Sequence, residues 1–228
     1  MDFFKMLRLW FTSLQPSRIE KLIKGQKGKE SLKEAMKNVL IASLTMFLAI
    51  VIFSALGIGI IRLMWTSISP YFGDLFNNPE AESTAGFQFQ LVVGILSVSY
   101  SVMALIMFPI AFFIMQVVQF LLAKAFGGKA DFAKQAYYCS LVFAAVEIAS
   151  IVIVVPCAGI FGLAIVGLLG VYANFQFVKK LHSLGTFSSI TVILASILIG
   201  AWLYILFWQA VASILMALID LAVRIYGG

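Results

Sequence analysis

The sequence predicts an all-α, polytopic integral membrane protein: five transmembrane helices and an amphipathic helix before them. Three observations carry this prediction. The chain has 228 residues, of which 62% are hydrophobic and 11% charged, and its mean hydropathy is +1.05. Soluble domains hold roughly 25% charged residues. Several apolar runs reach or exceed the ~18 residues that mark a membrane helix. Glu147 is the only full charge in the middle of any of these spans.

Residues 2–14 place Phe3, Phe4, Leu7, Trp10, Phe11 and Leu14 at three- and four-residue spacing, with Lys5, Arg8 and Thr12 on the other side. This is an amphipathic helix, whose apolar face rests either on a membrane surface or on the protein's own helices. Lys5 and Arg8 interrupt the run and no small-residue cleavage site follows, so no cleavable signal peptide is read here. Gln15-Pro16 ends the pattern. Ser17-Arg-Ile-Glu20 is expected to cap a short helix, and Ser31-Leu-Lys-Glu34 a second one that begins at Leu32 and runs into the first span, Asn38 to Ile61. Residues 1–37 form a basic cytoplasmic region with nine Lys/Arg against four acids.

Arg62 closes the first span. Met64 to Gln88 contains Pro70, Gly73, Asn77-Asn78-Pro79 and several acids, and is expected to be a turn-rich loop. The apolar stretch Phe89 to Ala123 would reach ~50 Å as one helix, against a ~30 Å hydrocarbon core. It is expected to be one long helix kinked near Pro109. Gly127-Gly128 suits the end of that helix, and Asp131 is the expected N-cap of the third span, Ala133 to Val155. Pro156 and Gly159 make an uncharged outer turn. The fourth span, Cys157 to Phe177, carries Gly159, Gly162, Gly167 and Gly170, and the fifth, Ser188 to Trp208, carries Gly200. These glycines are expected to let helices approach closely in lipid. Residues 38–208 thus form the transmembrane domain. Residues 209–228 are an amphipathic tail on the outer side, with Gln209, Ser213, Asp220 and Arg224 near one face.

With five spans, the N-terminal region, the 124–134 loop and the 179–187 loop share one side. Together they hold fourteen of the sixteen Lys/Arg. Basic residues stay cytoplasmic, so the N-terminus is expected inside and the C-terminus outside the cell membrane. The positive balance reads as membrane orientation and contact with anionic lipid, not as nucleic-acid binding. Cys139 and Cys157 lie in or beside apolar runs and read as free thiols. His182 stands alone in a basic loop, with no partner at metal-ligand spacing.

Three segments are familiar: Gln15-Pro-Ser-Arg-Ile-Glu-Lys-Leu22 with Ser31-Leu-Lys-Glu-Ala35, Ala125-Phe-Gly-Gly-Lys-Ala-Asp-Phe-Ala-Lys-Gln-Ala-Tyr137, and Gly170-Val-Tyr-Ala-Asn-Phe-Gln-Phe-Val-Lys-Lys-Leu-His-Ser183. In this order, over roughly residues 15–208, they resemble the Yip-one domain family. The resemblance implies five spans and a cytoplasmic N-terminus. Eukaryotic relatives engage small Rab-type GTPases in early secretory traffic. Their acidic-Leu-Tyr-Gly-Pro signature is absent here, as is a proline often found early in the third span, and the short N-terminal region resembles the prokaryotic branch.

Glu147 is the expected intramembrane polar site, about 14 residues and about 21 Å into the third span. Pro109, Ser54, Trp202 and Tyr204 lie at similar depth. Pro109 frees the Leu105 carbonyl, to which a protonated Glu147 can donate; Tyr204 is another partner. At that depth Glu147 is a neutral acid bonded between helices, a proton or cation relay, or part of a lipid or water cavity. No catalytic constellation, nucleotide-binding glycine pattern or cofactor motif is present. The expectation is a non-enzymatic protein that organises membrane or recruits a protein partner at its cytoplasmic face, self-association included. The alternatives are a small transporter or channel built on Glu147, or a lipid scramblase or carrier.

Overall fold

A computed structural model describes residues 3–76, 102, 105–151 and 158–226. The described residues form helices joined by short turns and loops, with no strand among them. The helices are α1 (Phe3–Ser13), α2 (Ile19–Gly25), α3 (Leu32–Phe76), α4 (Leu105–Ala125), α5 (Phe132–Ser150), α6 (Ala158–His182) and α7 (Thr186–Tyr226). Three stretches are long and apolar enough to cross a membrane: Leu32–Phe53, Leu105–Ala125 and Thr186–Leu203.

Local chemistry sets the helix ends. The Asp131 carboxylate accepts the Lys134 amide at 2.7 Å, and the Ser31 hydroxyl accepts the Glu34 amide at 3.2 Å. Each satisfies an amide that the first helical turn leaves without a partner. The cap expected from Ser17 does not form. A single 3-10 turn occupies Pro16–Arg18, and neither Gln15 nor Arg18 makes a side-chain cap bond. Proline's fixed φ favours that tight turn and removes one donor from the need for capping.

Three helix ends differ from expectation, and the first is that of α5, which stops at Ser150 and not at Val155. α3 does not stop at Ile61 but continues to Phe76, through Pro70 and Gly73. Trp65, Ile68, Phe72 and Phe76 keep helical spacing through this segment, and extending a formed helix costs far less than starting one. The remaining part of the expected loop, from Asn77, lies outside the described residues. α6 runs past Phe177 to His182, placing Lys179 and Lys180 in its last turn, where the helix dipole favours cations. Ser183 then adopts a left-handed φ of 54° and the Leu184 amide reaches the Lys179 carbonyl at 3.0 Å. α7 passes Trp208 without a break and includes most of the expected tail.

α5 is the hub. Its residues Gln135 to Val142, together with Ala144 and Ala145, are buried, and α1, α3 and α6 all pack on it. A helix enclosed on every side needs no amphipathic stripe. The main core gathers Met6 and Trp10 of α1, Ile19 and Leu22 of α2, Ala35 and Ala42 of α3, Tyr138 and Leu141 of α5, and Ala173 and Phe177 of α6. Tyr138 stacks on Phe177 with ring centroids 5.3 Å apart.

α1 therefore docks on its own bundle through Met6, Trp10 and Ser13. The aromatic face is divided: Trp10 turns inward, while Phe3, Phe4 and Phe11 stay exposed beside Lys5 and Arg8.

Candidate functional site

Two polar assemblies occupy the end of the bundle where the three basic segments meet. The first fastens the N-terminal region. The Trp10 indole donates to Asn38 Oδ1 at 3.2 Å, Asn38 Nδ2 donates to Ser140 Oγ at 3.0 Å, and Ser140 donates to the Tyr137 carbonyl at 2.6 Å. The Tyr138 hydroxyl lies 3.1 Å from both the Ile23 carbonyl and Glu30 Oε1, and Tyr137 donates to Gln26 Oε1 at 3.2 Å. Glu20 bridges Lys24 at 3.1 Å and Lys180 at 3.9 Å. The hydrogen bond and charge of Lys24, then the charge of Lys180, hold the Glu20 carboxyl below its usual range. The pairs are exposed, so they position more than they stabilise.

The second assembly is a layer of buried carboxamides. Gln135 of α5 donates through Nε2 to the Gln116 carbonyl at 3.2 Å, to Gln116 Oε1 at 3.1 Å and to Gln119 Oε1 at 3.4 Å. Its Oε1 lies 2.8 Å from His182 Nε2. A backbone carbonyl can only accept, so the nitrogen end of Gln135 must face Gln116. Gln135 Oε1 must then accept, and His182 Nε2 carries the proton. His182 Nδ1 is sealed from solvent and has no hydrogen-bond partner among the described residues, so nothing there stabilises a second ring proton. Burial, with the nearby Lys124 charge, pushes the His182 pKa down to about 4, against a smaller upward pull from Asp131. Cys139 extends the layer, donating to Asn174 Oδ1 at 3.1 Å with Gln119 Oε1 at 3.7 Å.

His182 is thus the buried last residue of α6, not a residue of an open loop. The loop before α5 closes over it: the Lys129 amide donates to the His182 carbonyl at 3.2 Å. The two glycines of that loop have different reasons. Gly127 takes φ +82°, while a Cβ on Gly128 would collide with the His182 ring and stand 2.7 Å from the Ala123 carbonyl oxygen. Among the described residues no group of three or more side chains is arranged to hold a metal ion.

Beside the carboxamide layer, α4, α6 and α7 form a partly open cavity of about 90 Å³, lined by Met115, Gln116, Gln119, Val171, Asn174, Ile193, Ser196 and Ile197.

Glu147 stands half-buried on α5, beyond the enclosed segment, and its Oε2 is sealed without a hydrogen-bond partner among the described residues. Pro109 is buried within α4, and Trp202 is 60% exposed on α7. Ser54 and Tyr204 lie on α3 and α7, with side chains outside those described, as do the side chains of Asp220 and Arg224. Cys139 is a buried free thiol; Cys157 and Pro156 fall outside the described residues. Of the packing glycines, Gly170 leaves room for Val146 of α5, and Gly200 for Met115 of α4; an added Cβ would come within 2.6 and 2.7 Å of them. Gly167 meets nothing within 4 Å. Gly162 lies within α6 and Gly159 at its start.

Sequence reasoning ranked candidates by full charge and passed over Gln116, Gln119, Gln135 and Asn174. One signal was present. Gln116 and Gln119 stand three apart in an apolar run, and Asn174 lies as far from Lys179 as Gln119 does from Lys124. Comparison with protein-family models, curated proteins and solved structures finds no match.

Proposed function

We propose that this chain is a five-span membrane protein of the Yip-one domain family, with its N-terminus in the cytoplasm. It acts without enzymatic chemistry, recruiting an acidic protein partner to the membrane surface. One observation supports this most: the N-terminal region is fixed to the bundle while its cations point outward. Lys5, Arg8, Arg18, Lys21, Lys24, Lys27, Lys29 and Lys33 are all exposed, and buried polar contacts through Trp10, Asn38 and Tyr138 hold α1, α2 and the following linker in place. A preformed basic surface attracts a negatively charged partner with little ordering cost.

A second reading rests on the unpartnered Glu147 oxygen. Buried ionisable groups in membrane spans commonly mark ion or proton paths, so the rival function is a small transporter or channel.

The two separate experimentally. Under the recruiting function, a protein co-purifies from native membranes in low salt and dissociates as ionic strength rises. The Lys21→Glu/Lys27→Glu/Lys29→Glu variant loses it while keeping its unfolding midpoint in detergent, and Glu147→Gln retains it. Proton or cation flux in proteoliposomes that Glu147→Gln abolishes would establish the transporter instead.

A further inference from the structure

The cavity among α4, α6 and α7 has a hydrogen-bonding polarity that follows from the layer beside it. Gln135 Nε2 is fixed toward α4 by the Gln116 carbonyl at 3.2 Å. Gln116 Oε1 and Gln119 Oε1 must therefore be the atoms that face Gln135, and their NH₂ groups point away from it. Cys139 likewise occupies Asn174 Oδ1. Gln116 Nε2, Gln119 Nε2 and Asn174 Nδ2 have no hydrogen-bond partner among the described residues. All three residues line the cavity. Ser196 also lines it and directs its proton to the Val192 carbonyl at 2.6 Å. Among the described residues, the cavity lining therefore carries three NH₂ donor groups without a partner, while the matching carboxamide oxygens are spent on α5.

Size and place narrow the occupant. At about 90 Å³ the space equals the liquid volume of roughly three waters, enough for one compact oxygen-bearing group. Gln119 and Asn174 each lie five residues from a helix-end lysine, Lys124 and Lys179, or about 7.5 Å along the helix. Val171 and Ile197 at the cavity are exposed, as are the neighbouring Leu168, Leu194 and Leu198. A group that enters here is flanked by exposed apolar surface, while Lys124 lies over Phe120 and Lys179 donates to Thr186 nearer the helix ends.

We propose that this cavity binds the phosphodiester of a membrane phospholipid: a compact group that accepts hydrogen bonds and donates none, attached to apolar chains that lie along α6 and α7. Inorganic phosphate shares the acceptor chemistry but lacks the chains. The proposal does not depend on the recruiting function.

Native mass spectrometry of the full chain, released from detergent after titration with phosphatidylglycerol or with inorganic phosphate, tests it. The expected result is one tightly retained phospholipid and no retained phosphate. Ser196→Met fills the cavity from α7 and leaves every carboxamide in place, and Asn174→Leu removes one donor; each should weaken lipid retention about tenfold or more. Gln176→Leu, on α6 but outside the cavity, should retain lipid as the parent chain does. Unchanged retention in a Ser196→Met protein with a normal unfolding midpoint would overturn the proposal. So would phosphate binding as tightly as the lipid, or a cavity that retains neither.

Discussion

Gln135 joins Gln116, Gln119 and His182 into a defined arrangement, and His182 is its one titratable member. Burial keeps the His182 ring neutral and gives it a pH dependence. The folded pKa lies near 4, below the ordinary histidine value of 6.5, so between those values the unfolded chain binds more protons than the folded one. Stability therefore rises with pH across this window. The contribution is complete above about pH 6.5 and is lost as pH falls toward 4. Thermal unfolding in detergent should show a midpoint that drops between pH 7 and pH 4.5 in the parent chain. The drop should be smaller in His182→Gln, whose carboxamide can still donate to Gln135. The residue scale is where the sequence was least legible. Glu147 stood out because a lone carboxylate in an apolar run is conspicuous. The carboxamides did not, because each is a single neutral residue, and their convergence depends on how α4, α5 and α6 are rotated about their axes.

At the scale of elements, capping chemistry was legible and helix length was not. Asp131 and Ser31 cap as their spacing indicates, because an N-cap acts within one turn and needs no tertiary information. Ser17 fails because Pro16 imposes a different turn. α3 outruns its expected end because Pro70 and Gly73 are weak stops in a helix that is already formed. α1 shows the same limit from the other side. Its periodicity announced an apolar face, but which aromatics turn inward depends on the Asn38 acceptor beneath Trp10. The end of α6 offers a test. Ser183 holds a left-handed φ of 54°, a conformation that costs an L-residue roughly 1 kcal/mol or more and glycine nothing. Ser183→Gly should raise the unfolding midpoint by the equivalent of about 1 kcal/mol and leave lipid retention unchanged. A fall in the midpoint would mean that the Ser183 side chain stabilises this turn.

At the scale of the molecule, composition disclosed the helical membrane class, and three helices of membrane-spanning length and apolarity bear it out. The gathering of the basic segments is geometric. The 124–131 loop meets the end of α6 through Lys129 and His182. α2 and its following linker meet α5 through Tyr138, and α6 through Glu20 and Lys180. The proposed function requires this end of the bundle to face the cytoplasm, with the segment around Glu82 on the opposite side. Substituted-cysteine labelling with a membrane-impermeant maleimide, in a background lacking Cys139 and Cys157, tests that requirement most directly. Lys29→Cys, Lys129→Cys and Gly185→Cys should label only after permeabilisation, and Glu82→Cys should label in intact cells. Labelling of Lys129→Cys or Gly185→Cys in intact cells would place the basic surface outside and contradict both the five-span topology and the recruiting function.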